Sequence, residues 1–196
     1  MSDAKRLRIM LVGGSLVRFP LLDQVLAGAG HEVIARFVST NDLAAQVGTL
    51  SPDIIIINID SPDPGVIENV RALQRERPCP IVLFTNDDKG DTIRAAIHAG
   101  VHAYVVDGFS TGRVLPILEV AMARFEEYQS MREELDRAKA TLEERKLIER
   151  AKGLLMRQAK LDEDAAYKAM RKMAMDRNLK LGDLAKSLIA AAELLG

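Results

Sequence analysis

The chain has no tryptophan, a single cysteine, and only 4% aromatic residues among 196. Cys79, set between Pro78 and Pro80, cannot close an internal disulfide, and no neighbouring His, Cys and Asp residues give it the spacing of a metal site. It reads as a small packing residue in a turn. The shortage of aromatics argues against the stacking platforms that single-strand binders use to hold successive bases. No apolar run is long enough for a signal h-region or a membrane span, so the expectation is a cytoplasmic protein. No charge of one sign predominates. With 27 Lys and Arg against 28 Asp and Glu the net charge is −1, which excludes a uniformly basic coat but leaves room for a local basic face. No nucleophile, base and orienting group stand together in the pattern of an enzyme, and no cofactor is expected.

What is present is a rhythm. Arg8–Val12, Glu32–Val38, Asp53–Ile59, Ile81–Thr85 and Ala103–Val106 read as short strands. Between them Leu16–Ala29, Asp42–Leu50, Val66–Arg77 and Asp91–Ala99 read as helices. Four consecutive isoleucines in the third strand show no alternation, as in a strand covered on both faces within a parallel sheet. Repeated β–α units predict right-handed crossovers. The expected fold is α/β, a flavodoxin-like five-stranded doubly wound parallel sheet of order 2-1-3-4-5.

After Pro116 there is no proline to the end of the chain and no glycine until Gly153. Helix formers dominate. Leu118, Ala121, Phe125 and Tyr128 follow 3–4 spacing, and one phase continues through Met131, Leu135, Ala138 and Leu142 after a one-step slip. The strict phase would instead put Arg132 and Lys139 in the seam. A coiled coil that dimerises the chain is the preferred reading, against a long helix packed on its own domain. Leu142–Gln158, a second helix opening after Asp162 and running to about Arg177, and Leu181–Leu195 form a small helical module, with Asn178 as a candidate cap. The expected division is residues 1–112, a linking helix over 113–142, and the module over 143–196.

Pro52-Asp53-Ile-Ile-Ile-Ile-Asn58-Ile-Asp60-Ser61-Pro62, Ile81-Val-Leu-Phe-Thr85 and Ala99-Gly100-Val-His-Ala103-Tyr104 resemble parts of a two-component receiver domain. A working receiver needs an acidic pair after its first strand to hold Mg²⁺, an aspartate at the end of the third as phosphoryl acceptor, and a lysine after the fifth. Here the corresponding residues are Gly13 and Gly14, Asn58, and Asp107; only Thr85, at the hydroxyl position of the fourth strand, matches. Asn58 cannot form an acyl phosphate, so a pseudo-receiver independent of phosphorylation is expected. Asp60, two residues beyond Asn58, and Asp107 offer an alternative cation site; the plainer reading has Asp60 and Ser61 opening a turn. Gly13-Gly14-Ser15 lacks the spacing of a phosphate-binding loop and reads as a tight turn.

Glu143-Glu-Arg-Lys146-Leu-Ile-Glu149-Arg150-Ala-Lys152-Gly153-Leu-Leu-Met156 and Asp164-Ala-Ala-Tyr167-Lys-Ala-Met170-Arg171-Lys172-Met-Ala174-Met175 resemble the ANTAR domain, an RNA-binding module of bacterial antiterminators. With the linking helix, the whole is similar to the AmiR/NasT family, and more to its NasT branch in nitrate and nitrite assimilation. The resemblance implies a transcription antiterminator that binds an RNA stem-loop in a leader transcript, is controlled by a ligand-binding sensor protein, and acts as a homodimer through the linking helix, with no membrane partner. From Glu143 onward twelve Lys and Arg face nine acids. Lys146, Arg150 and Arg157 fall roughly on one helix face, Lys168, Arg171 and Lys172 cluster on the next helix, and Arg177 and Lys180 close it. Tyr167 is a candidate for stacking on a loop base or for the core. The rival reading is a protein-interaction adaptor without nucleic acid. A DNA-binding helix-turn-helix is disfavoured by the absence of a clear turn glycine.

Overall fold

The computed structural model describes residues 6–13, 18–107 and 110–195. They divide into two compact units, Met1–Gln129 and Ser130–Gly196. The first alternates β1 (Arg8–Val12), α1 (Arg18–Gly28), β2 (Glu32–Phe37), α2 (Leu43–Leu50), β3 (Ile54–Asn58), α3 (Pro64–Glu76), β4 (Ile81–Thr85), α4 (Gly90–Ala99) and β5 (Ala103–Val106). Every strand pair is parallel and the order is β2-β1-β3-β4-β5, the flavodoxin-like arrangement expected from the sequence.

The isoleucine run explains the layering. Ile54 and Ile56 point to one face, where Ile9, Leu11, Val82 and Phe84 meet Leu22 and Leu26 of α1 together with Val114, Leu118 and Ala121. Ile55 and Ile57 point to the other, where Met10, Val12, Ile81 and Leu83 meet α2, α3 and α4 through Leu43, Val47, Ile67, Val70, Leu73, Ala96 and Ala99. Successive side chains alternate across a strand, so an unbroken apolar run requires helices on both sides. Cys79 is a buried member of the second cluster, as expected. Burial raises its thiol pKa to about 12, with Asp53 adding to the shift, which leaves it un-ionised and unreactive.

Helix starts follow local capping. α3 begins at Pro64, two residues before the expected Val66. The Asp63 carboxylate accepts from the Val66 amide at 2.9 Å, and a proline in the first turn gives up no helical hydrogen bond. α4 ends at Gly100, whose φ of 105° is the left-handed cap geometry.

α5 (Thr111–Ala159) is one helix of 49 residues. The expected separate helix from Leu142 is its C-terminal part, because no proline or glycine interrupts the chain between Pro116 and Gly153. In the second unit α6 (Glu163–Asp176) and α7 (Leu181–Leu195) complete the module. Asp162 caps α6 as expected, accepting from the Ala165 amide at 2.7 Å. Arg177 takes the C-cap position and Asn178, one residue later, adopts the left-handed conformation that asparagine tolerates (φ 52°). Ala151, Met170, Ala174, Leu184, Ala185 and Ile189 form the small core, with Leu154, Leu155 and Leu188 packed against it.

His102, at the entry to β5, ties the sheet to α5. Its Nδ1 accepts from the Ile81 amide at 3.2 Å and its ring meets Phe125 edge-on at 5.2 Å. Burial, and secondarily Arg124, hold its pKa down to about 4. The unfolded chain takes up this proton near pH 6.5, the folded one only near 4. Stability is therefore full above pH 6.5 and is lost as the pH falls towards 4. After discounting for the partial exposure of the ring, the loss attributable to His102 is about 1–2 kcal/mol. Urea titrations at pH 7 and 4.5 should show a smaller decline in His102→Gln than in the native chain; equal declines would remove His102 as the cause.

Candidate functional site

Two surfaces carry the residues singled out from the sequence, one in each unit. In the first, the C-terminal edge of the sheet brings Asn58, Gly13 and Thr85 together. Asn58 ends β3 and is 1% exposed. Gly13 follows β1, donates its amide to the Phe37 carbonyl at 2.8 Å, and has φ 136°. A Cβ on Gly13 would stand 2.0 Å from the Asn58 carbonyl oxygen. No side chain fits there with this backbone, so an acidic metal ligand is excluded by the close approach of two chains as well as by composition. Gly14 lies outside the described residues.

The hydroxyl of Thr85 is already engaged. It donates to the Asp60 carbonyl at 2.8 Å and accepts from the Asp87 amide at 3.1 Å. Asp87, which sequence reasoning missed, organises this edge. Its carboxylate accepts from Ser61 at 2.6 Å, from the Lys89 amide at 2.9 Å and from Thr92 at 3.4 Å, while its carbonyl accepts from the Tyr104 hydroxyl at 2.8 Å. The Ser61 hydrogen bond above all, then the Lys89 amide, hold the Asp87 pKa below the usual carboxylate range. The only hint in the sequence was the polar run Asn86-Asp87-Asp88-Lys89 between β4 and α4. Together these bonds clasp the β3–α3 loop to the β4–α4 loop.

The alternative cation site would draw on Asp60 and Asp107. Asp60 is exposed and its carboxylate accepts from Asn86 at 3.1 Å, and Asp107 is exposed with φ 45°. Among the described residues no three His, Cys, Asp or Glu lie close enough to hold a metal ion. Asp60 and Ser61 serve the turn, in line with the plainer reading.

In the second unit the candidate cations separate into paired and unpaired. Lys146 Nζ lies 2.7 Å from Glu143, and Arg150 is 2.7 Å from Glu193 on α7. Lys152, 8% exposed, is gripped by Glu149 and by Glu163 at the start of α6, both at 2.7 Å. Hydrogen bonds to these two carboxylates, Glu149 first, raise its pKa above the ordinary lysine value. By contrast Arg157, Lys168, Arg171, Lys172, Arg177 and Lys180 are exposed and form no ion pair with a described residue. Tyr167 stands at the margin of the α6 core face, 42% exposed. Along α5, Tyr128, Met131, Leu135 and Leu142 are each more than half exposed.

Residues 136–189 match the ANTAR domain family. The transcriptional regulatory protein PdtaR of Mycobacterium tuberculosis is 30% identical over 175 residues, covering 89% of this chain and 85% of that protein. The chain belongs to the ANTAR-domain response regulators. A nitrate regulatory protein of Klebsiella oxytoca is 38% identical over 78 residues, 40% of this chain and 20% of that protein. The CheY-like receiver domain of Methanospirillum hungatei superposes on 63% of the chain and 99% of its own length with TM-score 0.55 and 18% identity, which shows the receiver fold. This regulator therefore carries a receiver fold, with Asn58 at the end of its β3. No helix among its described residues is long and apolar enough to cross a membrane.

The Gly13 contact is directly testable. Gly13→Ala should lower the free energy of unfolding by about 2–4 kcal/mol, since the chain must move or hold an L-residue at positive φ. Gly28→Ala, where a Cβ meets nothing within 4 Å, should be neutral or slightly stabilising. Equal effects in urea titrations would refute the contact.

Proposed function

We propose that this ANTAR regulator binds an RNA stem-loop in a leader transcript and acts as a transcription antiterminator without being phosphorylated or catalysing a reaction. The single observation that carries the reading is the exposed, unpaired trio Lys168, Arg171 and Lys172 on one face of α6, within the stretch that matches the ANTAR family. Unpaired cations on a rigid helix exchange condensed counterions for phosphates at little reorganisation cost. Arg157, Arg177 and Lys180 extend the positive field, and Tyr167 is available at its margin. Lys146 and Arg150 must give up Glu143 and Glu193 to reach a phosphate and contribute less.

Control passes through a ligand-sensing partner protein that sequesters the regulator and releases it on binding its ligand. Asn58 at the end of β3, the closed Gly13 position and the engaged Thr85 hydroxyl support control by such a partner over phosphorylation. A nitrate-responsive setting is supported by the likeness to the nitrate regulatory protein of Klebsiella oxytoca; action in the cytoplasm and a role for nitrite are part of the same proposal. The active species is a homodimer. Met131, Leu135, Ala138 and Leu142 repeat at 4, 3 and 4 residues and are all exposed, the pattern of a two-stranded seam that a second copy would bury.

A leader hairpin titrated across salt with the native chain and with the Lys168, Arg171 and Lys172 triple alanine variant tests the reading. Losing three phosphate contacts should reduce the slope of log K against log salt by about 2–3. No binding by the folded native chain, with or without a sensor protein and its ligand, would leave the adaptor as the better account. Leu135→Lys should convert the dimer to monomer in sedimentation equilibrium while helicity is kept; an unchanged dimer would rule out the α5 seam.

A further inference from the structure

Met175 is 75% exposed, more than any other large apolar side chain among the described residues of the second unit. It stands at i+7 from Lys168 with Arg171 and Lys172 between, at i+3 and i+4, so all four share one helix face. These residues and Asp176 line a shallow groove of about 260 Å³ whose wall is mostly carbon. A purely phosphate-binding face has no use for an exposed thioether, and a protein-binding face of this kind would place three unpaired cations around a single apolar contact. The combination fits a ligand with a flat apolar part and a flanking anion, which is a nucleotide. Methionine is soft and polarizable and packs well against π faces, and Lys and Arg stems add apolar wall while their heads stay in water.

Asp176 narrows the choice. A carboxylate lining the groove repels phosphate and accepts hydrogen bonds. A base presenting an exocyclic amine satisfies it, as when an acidic side chain accepts from cytosine N4. Uracil presents a carbonyl at the equivalent position. A base inside an A-form stem keeps its face stacked and its amine paired, so the base must be unpaired.

We propose that the groove formed by Met175, Asp176 and the stems of Lys168, Arg171 and Lys172 holds one unpaired RNA base carrying an exocyclic amine, with its flanking phosphates on the three cations. The proposal rests on the RNA-binding reading above and assigns Met175 and Asp176 as its specificity-determining residues.

The test is selection of hairpins with a randomised loop on the full-length chain, followed by Kd measurements on a winning hairpin and on its counterpart with an abasic linker. The native chain should enrich hairpins in which one loop position is depleted of uridine. Met175→Ala should weaken binding to the winner by about twofold to tenfold, with the salt slope unchanged, and should bind the abasic hairpin as the native chain does. Asp176→Asn should retain affinity and lose the discrimination against uridine at that position. Melting curves matching the native chain confirm that both variants fold. Failure of the native chain to enrich any hairpin overturns the RNA-binding reading itself. Enrichment by the native chain with Met175→Ala and Asp176→Asn indistinguishable from it overturns this proposal alone.

Discussion

The structure depends first on the desolvation of β1, β3 and β4 from both sides. Each fully buried isoleucine of β3 is worth about 1.5–3 kcal/mol of transfer free energy, and none of it is realised unless helices cover both faces. Ile54 and Ile56 need α1 and the start of α5; Ile55 and Ile57 need α2, α3 and α4. Helix formation and sheet burial are thus a single condition. It also dictates where polar groups are tolerated, namely at the strand ends, where Asn58 and Thr85 are buried at the C-terminal edge.

That edge is the place where a receiver fold does its chemistry, and here it is filled by backbone and hydrogen bonds. The carbonyl of Asn58 occupies the space that a Gly13 side chain would need. Thr85 is bonded on both sides, and Asp87 binds Ser61, the Lys89 amide and Tyr104. These donors hold the Asp87 carboxylate in its charged form and join the two loops through one side chain. The clasp therefore resists rearrangement of the two loops. Control by a bound protein surface needs no rearrangement of this edge, whereas control by a phosphoryl group does.

Much of this was legible in the sequence where the cause is local. The five strands, their order and the two-sided covering follow from an apolar run that does not alternate, and the Asp162 cap follows from one carboxylate before a helical pattern. The residues at the strand ends, Asn58, Gly13 and Asp107, could be picked out from the sequence, though not the close approach of Gly13 to the Asn58 carbonyl. What was not legible depends on residues far apart in sequence. The start of α3 moved because Asp63 and Pro64 compete with apolar periodicity as a boundary signal. Asp87 drew no notice in the sequence because its role depends on Ser61, 26 positions away, and on Tyr104. Arg150 looked equivalent to Arg171 until Glu193, 43 positions away, neutralised it.

That last distinction bears most on function. The module's small excess of cations says little, because a solvated helix face has the same composition. Exposed ion pairs contribute only about 0–1 kcal/mol each, so folding alone gives weak reason to pair or not to pair any of them. Yet Lys146, Arg150 and Lys152 are paired, while Lys168 stands three and four residues before Arg171 and Lys172, a spacing at which like charges repel by a few tenths of a kcal/mol per pair. An exposed methionine on the same face adds a further small cost. Asp164 and Asp176, four residues before Lys168 and four after Lys172, temper that repulsion. This face therefore differs from that of Lys146, Arg150 and Lys152 in combining cations outside any ion pair between described residues with an exposed apolar side chain.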